Sequence, residues 1–222
     1  MFSGASNFVN STDTTFFFMV AVSVFFLVVI TVSMIYFVIR YSRKRNPKAK
    51  NIHGNIPLEV TWTVIPTILV LIMFWMGWAG YKQLADAPAD AMEIDVAAQM
   101  WKWTFTYPNG VSSDTLYVPV SKPVKVLLHS RDVNHSFFIP AFRVKKDAIP
   151  NRNNSAWFKA DKEGSYDIFC AEYCGLNHSD MLSKVVVMSQ SAFNSWLNKK
   201  AAPDSAKPVV NDAAQTDTTR AM

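Results

Sequence analysis

Two long apolar stretches without a charged residue constrain the fold of this chain more than any other feature of its sequence. The first covers residues 15–39 and the second residues 60–81. A helix of about 20 apolar residues crosses the roughly 30 Å hydrocarbon core of a bilayer, so each stretch is long enough to span it. The sequence therefore predicts two transmembrane helices at these positions, preceded by an external N-terminal segment at residues 1–14.

A cleaved signal peptide is the alternative interpretation of the first stretch. Such a peptide begins with basic residues and has an apolar core of about 7–15 residues. Residues 1–14 contain no Lys or Arg and include Asp13, and the apolar stretch that follows is longer than such a core. A retained transmembrane helix is therefore the favoured interpretation.

The loop between the two stretches, residues 40–58, predicts the orientation in the membrane. Six Lys and Arg side chains and no acidic side chain lie between residues 40 and 50, in a chain whose formal charge is +5. Basic loops stay in the cytoplasm under the positive-inside rule, so we expect both termini on the periplasmic side of a bacterial inner membrane. The rest of the chain is nearly neutral, which argues against a nucleic-acid-binding surface.

Residues 92–190 have the pattern of a separate all-β domain. Short stretches of alternating apolar and polar residues are divided by turn signals such as Pro108-Asn109-Gly110. Many short, regularly spaced strands are typical of a β-sandwich or barrel. We predict eight strands, at residues 93–97, 101–107, 115–119, 124–129, 136–139, 156–160, 165–169 and 184–188. Within residues 191–222 we expect a short helix at 192–197 and a disordered polar tail.

A metal-binding pattern lies in the stretch CAEYCGLNHSDM, residues 170–181. It holds the only two cysteines of the chain, Cys170 and Cys174, with His178 four residues after the second and Met181 three residues further on. Thiolate, imidazole and thioether are ligands that select copper over hard cations. His135, from an upstream segment, is a further candidate ligand. The pattern therefore favours a copper site.

A disulfide, a zinc site and a mononuclear copper site are the competing interpretations of this stretch. A disulfide between Cys170 and Cys174 would close a very short loop and add little stability, and it would leave His178 and Met181 unexplained. Zinc accepts two Cys and two His, but methionine is a poor zinc ligand. A mononuclear blue copper site uses two His, one Cys and an axial Met. The second cysteine argues for a site that holds more than one copper ion.

Four segments resemble cytochrome c oxidase subunit II, and the resemblance covers nearly the whole chain. CAEYCGLNHSDM resembles the loop that binds the binuclear copper A centre. The other three are DVNHSFFIPAFRVKKDAIPNR (residues 132–152), which resembles the segment with the first histidine ligand, QMWKWTFTYP (99–108), which resembles the aromatic stretch, and LEVTWTVIPT (58–67), which resembles the start of the second helix. The resemblance implies two N-terminal transmembrane helices followed by an all-β cupredoxin-like sandwich or barrel, with a copper A domain at residues 92–190.

The resemblance also implies a ligand set. Two copper ions would be held by Cys170 and Cys174 as bridges, by His135 and Met181 on one ion, and by His178 and the backbone carbonyl of Glu172 on the other. The side chain of Glu172 would bind a magnesium or manganese ion shared with the catalytic subunit.

Two further residues receive roles from the same resemblance. Trp101 matches the tryptophan through which electrons enter. Trp103 lies two residues further on and would face the same side of a strand, so either tryptophan could be the exposed one. Glu59 matches the carboxylate at the mouth of a proton channel, whereas its position alone predicts a solvated carboxylate at a helix start. His129 matches no role in the family, and we interpret it as a structural histidine.

By resemblance the chain is the electron-input subunit of a respiratory terminal oxidase. It would accept electrons from cytochrome c, or from a haem c domain of a supercomplex, and pass them to haem in catalytic subunit I, where oxygen is reduced to water and protons are pumped. Other oxidase subunits are expected partners, and the chain would bind no haem itself. The alternatives are the copper A subunit of a nitric oxide reductase, a membrane-anchored copper-binding module and a structural β domain with a disulfide. A quinol oxidase subunit II would lack the copper ligands.

Two departures from the family pattern bear on these expectations. Pro150-Asn151-Arg152 stands where the family commonly has Pro-Gly-Arg, and asparagine tolerates the positive φ of such a turn. The usual acidic docking face is missing, because Lys102 lies beside Trp101 and residues 92–190 carry 11 basic and 10 acidic side chains. We therefore expect weak electrostatic steering and a donor that is a neutral or acidic cytochrome or a tethered haem domain.

Overall fold

Two long helices open the fold in the computed structural model, which describes residues 4–48, 51 and 53–201. They are α1 (Val9–Arg40) and α2 (Ile56–Ala85), and both are long and apolar enough to cross a membrane. Neither has a buried residue, and most of their large apolar side chains are exposed. A helix that is apolar all round needs an apolar environment, which a bilayer supplies. Both begin before the predicted stretches: polar residues 10–14 form the first turns of α1, and α2 begins at Ile56, after Asn55 caps its first turn.

A sandwich of two five-stranded sheets follows the helices. The first sheet has the order β3-β2-β1-β5-β8 and the second β4-β10-β9-β6-β7. The strands are β1 (Met92–Gln99), β2 (Lys102–Thr106), β3 (Ser112–Ser113), β4 (Leu116–Pro119), β5 (Pro123–Ser130), β6 (His135–Ile139), β7 (Val144–Ala148), β8 (Asn154–Lys159), β9 (Gly164–Cys170) and β10 (Leu182–Met188). The prediction of two apolar helices followed by an all-β sandwich is confirmed. β3 and β7 are the two strands without a predicted counterpart.

The core lies between the sheets, where strands bury alternate side chains. In β5 every second residue is buried, as expected for a strand with one face on the core. The largest fully buried side chains include Phe105, Phe137, Phe142 and Phe158. Phe142 and Phe158 pack with their ring centroids 5.0 Å apart. Phe137, which lies opposite Cys170 in the second sheet, joins this aromatic core to the candidate site.

The N-terminal segment belongs partly to the sandwich. Ala5 and Phe8 are buried in the core, and Ser6 forms an isolated bridge with Ala160. Phe8 packs edge-to-face against Trp157 with a centroid distance of 4.8 Å. Residues 9–14 form the first turns of α1. Residues 4–14, which belong to the expected external N-terminal segment 1–14, therefore lie partly in the sandwich and partly in the first helix.

Each long helix is also tied to the sandwich by hydrogen bonds. The guanidinium of Arg143 forms a two-pronged ion pair with Asp13 of α1, at 2.7 and 3.0 Å. The indole Nε1 of Trp157 in β8 donates to the carbonyl of Gln83 in α2 at 3.0 Å. These contacts link the sandwich to the ends of both helices.

Helix α3 (Gln190–Ala201) packs on the sandwich at the end of the described chain. Phe193 is buried, and Trp196 stacks on Tyr117 with ring centroids 4.4 Å apart. This helix contains the segment 192–197 that the sequence predicts as helical. The polar tail, for which the sequence predicts disorder, lies outside the described residues from position 202 onward.

Candidate metal centre

The candidate metal centre forms where three strands come together. Cys170 is the last residue of β9 and Met181 directly precedes β10, so residues 171–181 connect these two antiparallel strands. β6 begins at His135 and pairs with β9 through Phe137, opposite Cys170. His135 and Phe137 share one face of β6 because side chains alternate along a strand. The second sheet therefore brings the upstream histidine to the cysteine loop.

The two cysteines form a buried pair of free thiols. Cys170 is 8% exposed and Cys174 is 4% exposed, and their Sγ atoms lie 3.8 Å apart, well beyond the roughly 2.05 Å of a disulfide. Burial, and next the neighbouring Cys170 sulfur, raise the pKa of the Cys174 thiol to about 11. Metal binding deprotonates such thiols, because the cation replaces the protons. The donor atoms of His135 and both cysteines lie within 4.8 Å of one another, which suits a metal site.

The ring of His135 is held from its far side by Asp132. Nε2 of His135 donates to Oδ1 of Asp132 at 2.8 Å, and Nδ1 faces Sγ of Cys170 at 3.8 Å. Partial burial opposes ionisation of Asp132, but hydrogen bonds from the Met100 amide, His135 and the Val133 amide outweigh it and lower the pKa of Asp132. An ionised carboxylate only accepts hydrogen bonds. The contact therefore leaves the lone pair on Nδ1, pointing at the thiol pair.

Three more donors complete a compact set around the thiols. Sδ of the fully buried Met181 lies 3.8 Å from Sγ of Cys174, and Nδ1 of His178 lies 3.5 Å from the same atom. The carbonyl oxygen of Glu172 lies 3.3 Å from Sγ of Cys170. Sulfur and imidazole donors at these separations fit copper, and the two central thiols provide two sulfurs that adjacent ions could share.

Trp101 lies against the cysteine loop, in the tight turn between β1 and β2. Its Nε1 donates to the carbonyl of Cys174 at 3.2 Å. Gly175 follows with a φ of +115°, and a Cβ there would lie 3.3 Å from Cζ2 of the Trp101 ring. Glycine provides both the backbone angle and the room. Trp103 is instead buried, with its ring centroid 6.3 Å from that of His135. The structure thus distinguishes two tryptophans that share strand parity in the sequence.

The outer part of the cysteine loop is open. Tyr173 is 78% exposed and Leu176 is 88% exposed, and the Glu172 side chain is also exposed while its carbonyl faces the thiols. The half-buried ring of His178 lies 5.7 Å from the Tyr173 ring. Within the described part of the chain, no side chain forms a hydrogen bond with Nε2 of His178. This face has room for contacts from outside the chain.

Glu59 lies far from the thiols, in the first turn of α2. Its Oε1 accepts a hydrogen bond from the amide of Asn55 at 3.2 Å, and Oδ1 of Asn55 accepts one from the amide of Leu58 at 3.2 Å. This reciprocal arrangement caps the helix start. The geometry gives Glu59 a structural role, which its position in the sequence also predicts. His129 likewise has a local partner, since its Nδ1 lies 3.3 Å from a carboxylate oxygen of Asp95.

Asp132 is the site residue that our sequence reasoning missed. It lies within the segment that carries His135, but a carboxylate three residues before a histidine is common in turns. Its importance depends on Met100, 32 positions away, whose amide donates to Oδ2 at 2.7 Å. Asp132 therefore connects the metal-facing histidine to the turn that holds Trp101, and only the packing of the strands reveals this link.

Two family models match the chain. The model described as cytochrome c oxidase subunit II, transmembrane domain, matches residues 3–76, and the one described as cytochrome c oxidase subunit II, periplasmic domain, matches residues 111–189. Together they cover α1, α2 up to residue 76, and the sandwich from β3 to β10.

Curated relatives and a solved structure extend the comparison. A cytochrome c oxidase subunit 2 of Thermostichus vulcanus is 31% identical, over 86% of this chain and 75% of the relative. One of Alkalihalophilus pseudofirmus is 35% identical over 79% of this chain, which spans only 55% of that relative. The crystal structure of the periplasmic domain of subunit II of cytochrome oxidase from Bradyrhizobium japonicum is similar, with a TM-score of 0.50, 32% identity, and coverage of 52% of this chain and 96% of that one.

Proposed function

This chain belongs to the cytochrome c oxidase subunit II family, and we propose that it is the electron-input subunit of a respiratory terminal oxidase. One observation carries the proposal: two thiols, two imidazoles, a thioether and a carbonyl converge beside a tryptophan that contacts the cysteine loop. Two apolar helices anchor the protein in the membrane. The oxidase would contain this chain beside catalytic subunit I and other subunits.

The donor set fits a binuclear copper A centre. We propose that its ligands are Cys170 and Cys174 as bridges, His135 and Met181 on one side, and His178 and the Glu172 carbonyl on the other. The bound centre would supply a one-electron couple shared over two metals, so that little rearranges on electron transfer. The protein contributes a rigid shell: the pairing of β6 with β9 sets the spacing of His135 and Cys170, and burial of the thiols excludes water.

Trp101 is the proposed point at which electrons arrive. Its indole donates directly to the carbonyl of Cys174, which supports a short path into the ligand set. Two exposed residues flank it in the sequence, Met100 and Lys102. The exposed Leu176 follows Gly175, which lies against the Trp101 ring, and none of these residues carries negative charge. We propose that the donor is a cytochrome c or a tethered haem c domain that docks here by apolar contact, with weak dependence on ionic strength.

The exposed carboxylate of Glu172 is a proposed ligand for a magnesium or manganese ion at the boundary with subunit I. Hard cations prefer carboxylate oxygen, and the backbone turns this side chain away from the thiols. A single carboxylate holds such an ion weakly, so the remaining ligands would come from the partner subunit and water. In the complex, Glu172→Gln should lower the content of this metal and leave the copper spectrum unchanged.

Glu59 is a proposed proton-input residue, in addition to its capping contact. With the basic loop in the cytoplasm, Glu59 would lie at the cytoplasmic mouth of α2 and the sandwich in the periplasm. Glu59→Gln preserves an oxygen that can cap Asn55 but cannot carry a proton. Slower turnover in Glu59→Gln with an unchanged copper spectrum supports the proton role, and unchanged turnover limits Glu59 to the cap.

Cys174→Ser in the assembled complex tests the main proposal. Serine keeps the shape of the loop but removes a soft ligand, so oxidation of reduced cytochrome c should be abolished while the haem spectra remain. The ligand change Met181→Leu should lower turnover. Its matched control is Met188→Leu, at the end of β10, which should leave turnover intact. Full turnover in Cys174→Ser would contradict the proposal. The burial of both thiols also disfavours a copper-delivery module, which needs an accessible site.

A further inference from the structure

A basic cavity lies between the end of α2 and the sandwich. Its volume is about 460 Å³, and its walls include Tyr81 and Leu84 of α2, Lys145 and Lys146 of β7, and Trp157 of β8. Cavities that hold small ligands have volumes of about 300–1,000 Å³. None of the described residues that line this cavity is acidic. It therefore presents positive charge to anything that enters it.

Lys145 and Lys146 supply the charge that is free for a ligand. Both are exposed, and neither forms an ion pair or a side-chain hydrogen bond with another described residue. Arg143 also lines the cavity, but its guanidinium is engaged by Asp13 at 2.7 and 3.0 Å and by the carbonyl of Pro140 at 2.6 Å. The two lysines are thus the cations to which an external anion would bind.

The cavity lies at the level of the membrane surface. The uncharged stretch of α2 ends at Tyr81, Lys82 follows, and Trp157 donates to the carbonyl of Gln83. Tyrosine and tryptophan concentrate where the hydrocarbon core meets the lipid headgroups. A cation presented at this depth faces headgroup phosphates.

A second, apolar cavity adjoins the first on the membrane side. It has a volume of about 340 Å³ and lies between α1 and α2, with walls that include Phe16, Met19 and Gly77. Tyr81 and Leu84 form part of the wall of both cavities. A polar, cationic chamber next to an apolar groove matches a molecule with a charged head and a hydrocarbon chain.

We propose that the two cavities together bind one anionic phospholipid. Its headgroup lies in the first, basic cavity against Lys145 and Lys146, and one acyl chain lies in the second, apolar cavity between α1 and α2. The lipid would fill the space between the helices and the sandwich beside the Arg143–Asp13 ion pair. This proposal goes beyond electron input and does not depend on copper binding.

Native mass spectrometry of the detergent-purified full chain tests whether Lys145 and Lys146 bind the lipid headgroup. The probe is an equal mixture of phosphatidylglycerol and phosphatidylcholine with identical acyl chains. The unaltered chain should retain phosphatidylglycerol preferentially, and the double variant Lys145→Gln, Lys146→Gln should lower that preference by about five-fold per lysine. The control is Lys199→Gln, Lys200→Gln in α3, which removes two adjacent exposed lysines elsewhere and should leave the preference unchanged.

The variant Gly77→Phe tests whether the acyl chain lies in the groove between α1 and α2. A Cβ at Gly77 would meet no atom within 4 Å, so a larger side chain fits without displacing the helix and fills the groove. Retention of both lipids should fall while the preference between them persists. Excess inorganic phosphate should not displace the lipid, because phosphate lacks the acyl chain.

Three results would overturn the proposal. One is equal lipid preference in the Lys145, Lys146 variant and its control. Another is full displacement of the lipid by inorganic phosphate, which would indicate a simple anion site. The third comes from the assembled complex treated with photoactivatable phosphatidylglycerol: cross-links from residues 143–157 to a partner subunit, with no lipid label on that segment, would show that protein fills the cavity.

Discussion

The two halves of the proposed copper centre are built by different parts of the fold. The inner half, His135 and Met181, is fully buried. It is positioned by the strands and by the hydrogen bond that Asp132 accepts from His135, the Asp132 clamp. The outer half, His178 and the Glu172 carbonyl, lies on an open loop whose neighbouring side chains are 78% and 88% exposed. The difference indicates that the sandwich core positions the inner half, whereas the outer half depends on the loop and on whatever covers it.

Removing one histidine from each half should give the largest contrast. His135→Ala leaves a cavity in a packed region and removes the ring hydrogen bond to Asp132, so we expect the free energy of unfolding to fall by about 3 kcal/mol. His178→Ala removes a half-buried ring and should cost less than about 1 kcal/mol. Thermal unfolding of the metal-free full chain in detergent, followed by near-ultraviolet circular dichroism, measures both. Equal losses would show that the halves are not built differently.

The Asp132 clamp should also determine how tightly the inner half binds copper. Asp132→Asn keeps the shape but loses the ionised acceptor, so the histidine tautomer is no longer fixed, and we expect copper affinity to fall about 10–100-fold. Asp180→Asn is the matched control, because Asp180 is an exposed carboxylate on the outer side of the loop. Competition with a copper chelator measures the affinities. Copper binding by Asp132→Asn as tight as that of the control would show that Asp132 does not orient His135 for copper.

A comparison of two tryptophans tests which of them serves electron input. Trp101→Phe deletes the hydrogen bond to the Cys174 carbonyl, and we expect the electron-transfer rate from the donor to fall about ten-fold, equivalent to roughly 1.4 kcal/mol of barrier. Trp103→Phe should lower stability and leave the rate unchanged, since Trp103 is buried. Stopped-flow reduction of the complex by reduced cytochrome c gives the rates. A slower rate in the Trp103 variant alone would reverse the assignment.

The smallest expected effect lies on the open face. Leu176→Ala should change the stability of the isolated chain by no more than about 0.5 kcal/mol, because its side chain is almost fully exposed. If the outer half is completed by a partner, the same substitution weakens binding of the donor or of subunit I. Binding measured against ionic strength separates apolar docking from steering. Loss of stability without loss of binding would indicate that Leu176 packs within the chain.

The sequence predicts the parts of this protein that depend on local pattern. Two uncharged stretches are sufficient for the helices, and alternation is sufficient for eight strands. β7 escapes prediction because its three central residues are all exposed and polar, and β3 because it has only two residues. The ligand residues follow from spacing and resemblance, but the Asp132–Met100 link and the choice between Trp101 and Trp103 arise from packing between distant segments. Local sequence carries no signal for such contacts.

The central claim is that both cysteines hold one pair of copper ions. Electron paramagnetic resonance of the copper-loaded full chain, with copper quantified by mass spectrometry, tests it most directly. We expect a purple protein with two copper ions per chain and a seven-line hyperfine pattern from one unpaired electron shared by two copper nuclei. A four-line pattern with one copper ion per chain, or a colourless protein with a Cys170–Cys174 disulfide after copper loading, would contradict it.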